Sequence, residues 1–149
     1  MATTPDKPAT TAEATIGVYM QRPTFEAARG AYMADLDTLP TGPNTIAAWI
    51  GAALAAYAKL PPKKRATIAE ALPAEQRTDT RGISRTFRVD PDILEAVNTA
   101  LVADRKAGRW RSRSEFAVEA ILWATDNAKQ RAGGRLPKAP ARLPNPALR

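Results

Sequence analysis

The sequence predicts a mainly α protein made of two tandem β-α-α units that pair through a two-stranded antiparallel ribbon. Three observations carry this. The stretch "SRTFRVDPDILEAV", residues 84–97, alternates polar and apolar residues and then changes to apolar spacing of three and four. The order strand, helix, helix returns at an offset of 69 residues. Finally, a lone short strand has nowhere to pair except with a second strand of the same kind.

The clearer unit spans 83–131. Its strand runs from Ile83 to Val89, with Phe87 and Val89 on one face and Ser84, Thr86 and Arg88 on the other. Asp90 is suited to an N-cap and Pro91 to the first helical position. Ile93, Leu94, Val97, Leu101 and Val102 form an apolar stripe, and Gly108 ends the helix. "RWRS" is the turn, and Ser112 to Glu115 has capping-box spacing that opens a second helix, through Phe116, Ala120, Ile121 and Trp123 to about Lys129.

The other unit, 15–60, is more diverged. At the offset of 69, "FEAARGAYMAD" (25–35) lies over "LEAVNTALVAD" (94–104). Glu26/Glu95, Ala27/Ala96, Ala31/Ala100, Ala34/Ala103 and Asp35/Asp104 are identical, five of the eleven pairs. "TIGVYMQ" (15–21) alternates as a strand, "PTGPN" is a turn, and "TIAAWIGAALAAYAKL" is an Ala-rich helix. Residues 61–82 begin and end in helix breakers and are expected to be a linker with one short helix at about Ala66 to Leu72. Residues 1–14 and the Pro/Arg-rich tail 132–149 are expected to be disordered.

Composition narrows the function. The chain has no Cys and no His, which removes disulfides, the usual zinc ligands, and thiol or imidazole catalysis. No Gly-rich phosphate loop and no paired acidic groups suggest an enzyme, and no cofactor or metal is expected. The opening residues lack the basic start and apolar stretch of a signal peptide. The longest nearly apolar run, 46–58, falls short of the ~20 residues needed to span a bilayer. A soluble, cytoplasmic protein with no membrane partner is the expectation. The net charge of +7 is uneven: residues 1–60 carry four basic and five acidic groups, residues 81–135 eleven and seven. A polyanion would meet the second half.

The motifs "SRTFRVDPDILEAV" and "RSRSEFAVEAIL" resemble the ribbon–helix–helix superfamily of DNA-binding proteins, which includes the Arc and methionine repressors. Residues 15–58 are similar in flavour to small actinobacterial plasmid proteins of the partition type. The resemblance implies that an antiparallel ribbon, one strand from each unit, enters the major groove of double-stranded DNA. Ser84, Thr86 and Arg88 would then read bases. Gly17, Tyr19 and Gln21 are the outward positions of the first strand, of which Tyr19 and Gln21 carry groups that can contact DNA. The resemblance also implies phosphate anchoring at the start of the second helix, by Arg109, Arg111, Ser112, Arg113 and Ser114. Trp110 is expected to be a packing plug.

Two architectures stay open: an intramolecular pseudo-dimer, favoured by the short tether between the units, and a homo-oligomer of the second unit. Several roles also stay open. A transcriptional repressor or a partition protein with a motor ATPase partner comes first. An antitoxin with a toxin partner, a relaxosome accessory protein, and a dimerisation or adaptor module without DNA follow. The partition and repressor readings imply a bacterial protein associated with nucleoid or plasmid.

Overall fold

A computed structural model of the protein describes residues 14–75 and 81–143. These are mainly helical, with a small two-stranded antiparallel sheet. In chain order the elements are β1 (Ala14–Met20), α1 (Arg22–Thr38), α2 (Ile46–Ala58), α3 (Pro62–Ala71), β2 (Ile83–Val89), α4 (Pro91–Lys106) and α5 (Arg113–Arg131).

The two strands pair with each other along their whole length, from Ala14 opposite Val89 to Met20 opposite Ile83. Alternation then decides what each face meets. Ile16, Val18, Met20, Phe87 and Val89 are buried on one face, while Thr15, Gly17, Tyr19, Ser84, Thr86 and Arg88 are exposed on the other.

The helices close over the buried face in a crossed fashion. α5 packs on β1 and α1, α2 packs on β2 and α4, and α2 and α5 pack on one another. Each second helix therefore covers the other half's strand and first helix. One core results, with Val97, Phe116, Ile121, Tyr57, Ile50 and Leu54 from both halves. Burying each large apolar side chain contributes roughly 1.5–3 kcal/mol, which neither half alone can collect.

Helix ends follow local chemistry. Ser112 and Glu115 form a reciprocal capping box: the Ser112 Oγ accepts from the Glu115 N–H at 3.0 Å, and the Glu115 Oε1 accepts from the Ser112 N–H at 2.8 Å. After α4, Gly108 takes φ +93°. Its N–H donates to the Arg105 carbonyl and the Arg109 N–H to that of Asp104, the paired closure of a Schellman motif. Asp90 occupies the N-cap position of α4, but its side chain makes no capping bond. The Asp90 carbonyl takes the Ile93 N–H instead, at 2.9 Å.

Three expectations are corrected. Gln21 lies just past β1, at the N-cap of α1, so it is not a ribbon residue; Thr15 completes the outward set of β1. The Gln21 N–H donates to Glu75 Oε2 at 2.8 Å, and Thr24 Oγ1 donates to the same oxygen at 2.6 Å. A linker carboxylate thus closes the start of α1, where the helix dipole favours negative charge. The linker helix begins earlier than expected, because Pro62 is accepted at its first position. Residues 132–143 have no regular element, yet they are held along α1. Leu136 and Leu143 pack against the core, and Arg29 donates to the carbonyls of Pro140 and Ala141. A Cβ at Gly30 would stand 2.5 Å from the Pro137 carbonyl oxygen, so α1 is notched there to admit the segment. Residues 1–13 and 144–149, the remainder of the two expected tails, lie outside the described residues.

α3 is fastened by a buried charge. Arg65, 1% exposed, donates to Asp104 at 2.7 Å and to the carbonyls of Ala100, Ala58 and Leu60. Its guanidinium also lies 5.7 Å from the Phe116 ring centroid. Tyr57 donates to Glu119 at 2.6 Å and contacts the Arg65 carbonyl at 3.3 Å. Asp35, equivalent to Asp104 under the repeat, is likewise buried and accepts from Arg131 at 2.9 Å and from the Trp49 Nε1–H at 2.8 Å.

Removing one partner of a buried pair leaves the other charge without compensation. Arg65→Met is expected to cost about 3–5 kcal/mol in urea unfolding. Burial, aided by the Glu119 hydrogen bond and charge, raises the Tyr57 pKa, against the pull of Arg109 and Arg65. The folded state holds the phenol proton more tightly than the unfolded chain. Its contribution is therefore intact below the unfolded phenol value of ~10 and is lost as pH rises above it. Tyr57→Phe should flatten the loss of stability at alkaline pH, followed by denaturant midpoints from pH 8 to 11. Tyr32, also raised by burial, accounts for part of what remains.

Candidate nucleic-acid interface

The exposed face of the ribbon is short and varied. Across it Thr15 faces Arg88, Gly17 faces Thr86, and Tyr19 faces Ser84. A Cβ added at Gly17 would meet nothing within 4 Å, so open space lies above the ribbon's centre. Tyr19 is 53% exposed, and its hydroxyl accepts from the Gly82 N–H at 3.2 Å. Of the sequence-predicted base readers, Ser84, Thr86, Arg88 and Tyr19 share this face, and Gln21 does not.

The two second helices begin at opposite ends of the ribbon. At one end, the Tyr19 N–H donates to Ser114 Oγ at 2.9 Å, joining β1 to the first turn of α5. A cleft there is lined by Tyr19, Gln21, Arg111, Ser112 and Ser114. At the other end, a cleft lined by Thr45, Ala47, Ala48, Arg88 and Asp90 joins the first turn of α2 to β2. Thr45 caps α2 through the Ala48 N–H at 3.0 Å. Each helix start presents first-turn N–H groups that no helix carbonyl can reach. At α5, the capping box closes those of Ser112 and Glu115, while Arg113 and Ser114 supply two more first-turn donors.

The five residues expected to anchor phosphate do not share one environment. Arg109 and Arg111 bind the nearly buried Glu119, at 3.2 and 3.0 Å, and Arg109 also stands 3.8 Å from Asp104. Arg109 is only 19% exposed, so its first role is to balance two inward carboxylates. The Ser112 and Ser114 hydroxyl oxygens accept from the Glu115 N–H and the Tyr19 N–H, and each keeps its O–H to donate. Arg113 is exposed and donates to Asn98 at 3.2 Å. Trp110 is not the packing plug that was expected. It is 77% exposed, with the Arg105 guanidinium 5.4 Å above its ring. Its polar, cation-bearing neighbours were visible in "RKAGRWRSR", but nothing in the spacing said that the turn would lift the ring off the core.

Among the described residues no cluster of His, Cys, Asp or Glu could hold a metal ion, and no helix is long and apolar enough to cross a membrane. Neither family models, nor curated proteins, nor solved structures match this chain.

Proposed function

We propose that this chain is a sequence-specific double-stranded DNA-binding protein of ribbon–helix–helix type, acting as a transcriptional repressor, a plasmid partition protein, or both. The observation that carries the reading is the ribbon: two paired strands with one face buried and the other made of Thr15, Gly17, Tyr19, Ser84, Thr86 and Arg88, with a helix start at either end.

The physics of that surface suits a duplex. A two-stranded ribbon fits a major groove ~12 Å wide, and its outward side chains reach base edges. Arg88 has the fork that pairs with guanine O6 and N7, and the threonine and serine hydroxyls can donate or accept. Gly17 leaves the middle of the ribbon low, which lets the backbone come close to the groove floor. The helix starts beside the ribbon's ends offer N–H groups and a dipole to phosphates on either side. The charge of +7 supplies the sequence-independent part of the attraction.

Fluorescence anisotropy on the duplex upstream of the chain's own gene, against a scrambled duplex at two salt concentrations, tests the reading. A preference that survives at ~150 mM salt supports it; binding that ignores sequence and vanishes with salt rejects it. Two substitutions separate the roles. Arg88→Ala is expected to lose about 1–3 kcal/mol on the preferred duplex and little on random DNA. Arg113→Ala should weaken both alike and flatten the salt dependence by about one unit. Arg109→Ala, in contrast, should lower the unfolding midpoint and leave the salt slope nearly unchanged, because its charge is already spent on Glu119 and Asp104.

A further inference from the structure

The strand register contains a symmetry that the sequence repeat explains. Gly17 faces Thr86 across the ribbon, and these two are also equivalent residues under the offset of 69. A pseudo-two-fold axis therefore passes between them. It relates β1 to β2 and α1 to α4, whose first residues differ by that same offset. Thr15 is then the counterpart of Ser84, and Tyr19 the counterpart of Arg88.

A ribbon made by two identical chains shows the same side chain on both sides of its axis and matches a palindromic duplex, since operator symmetry mirrors protein symmetry. This ribbon cannot. Tyr19 stands where Arg88 stands in the other half, and Gly17 where Thr86 stands. The helix starts differ as well. Arg111 and Arg113 flank the start of α5, whereas no Lys or Arg occurs between Arg29 and Lys59, the stretch that includes the start of α2.

We infer that one chain, acting alone, recognises a non-palindromic duplex element whose two halves are read by different chemistry. This rests on the DNA-binding reading above. The half under Arg88 carries guanine, because among the described outward residues of the ribbon Arg88 is the one with a bidentate donor for a base. The half under Tyr19 lies beside the base-rich start of α5 and is held more through its phosphates. Recognition is therefore split: the strongest base contact falls at one end of the ribbon and the strongest ionic contact at the other, since α5 begins next to Tyr19 and α2 next to Arg88.

Enrichment of a random duplex library by the full chain at ~150 mM salt, followed by native mass spectrometry on the shortest enriched duplex, tests this. The expected motif has no two-fold axis and binds one chain. Replacing its guanine-bearing half by an inverted copy of the other half should weaken binding by ~10-fold or more. A palindromic motif carrying two chains would overturn the inference while leaving DNA binding intact. Failure to enrich any motif would overturn the DNA reading itself, and this inference with it. Tyr19→Arg gives an independent check that misfolding cannot imitate. It should enrich a motif with guanine in both halves, and an unchanged motif would refute the equivalence of Tyr19 and Arg88.

Discussion

The pairing of β1 with β2 is the constraint on which everything else depends. Each strand is seven residues long and, among the described residues, has no other strand beside it. Unpaired, either would expose a row of backbone donors and acceptors and a buried-face set that has nothing to cover it. Pairing them brings together residues almost seventy positions apart, an entropic cost that local contacts cannot offset. The crossed packing of α2 and α5 supplies the return. Because each of these helices covers the other half, the strand pair and the core form together. The same constraint fixes which residues face out, since a slip of one residue would turn Phe87 and Val89 outward.

A second layer of order is ionic. Asp35 and Asp104, identical under the repeat, each accept an arginine from a distant element, Arg131 and Arg65. Buried pairs of this kind add little net stability against an apolar replacement, but they are costly to break and specific in geometry. Arg65 ties α3 to α4. Glu119 gathers Tyr57, Arg109 and Arg111 at the base of α5. The turn before α5 is therefore fixed from beneath, while its exposed side keeps Arg113 and Trp110. Arg109 and Arg111, two of the arginines that look like a phosphate anchor in sequence, are also ion-paired to Glu119 beneath the turn.

Much of this fold was legible in the sequence because its signals are local. Alternation in "TFRV", proline at helix starts, the Ser112–Glu115 spacing and Gly108 each act within a few residues, and the strands and helices formed where these signals lie. What the sequence hid depends on distant partners. Arg65 reads as one more cation in "PKKRAT", and only Asp104, 39 residues away, makes it a core residue. Gln21 continues an alternating pattern, but Pro23 and the Glu75 carboxylate turn the backbone into a helix there. The prolines after Gly134 exclude a helix, yet they leave an extended segment free to lie on α1 against Gly30. At the candidate site, the outward set on β2 was visible from period two alone, whereas the division of labour among the arginines required Glu119 to be found in space.

The central claim is that the two strands pair within one chain. Equilibrium urea unfolding of the full chain, repeated over a 100-fold range of protein concentration, tests this directly. Pairing within the chain makes folding unimolecular, and the midpoint should stay constant across the whole range. A midpoint that climbs with concentration would mean that the strands pair between chains, and the single-chain ribbon would be wrong.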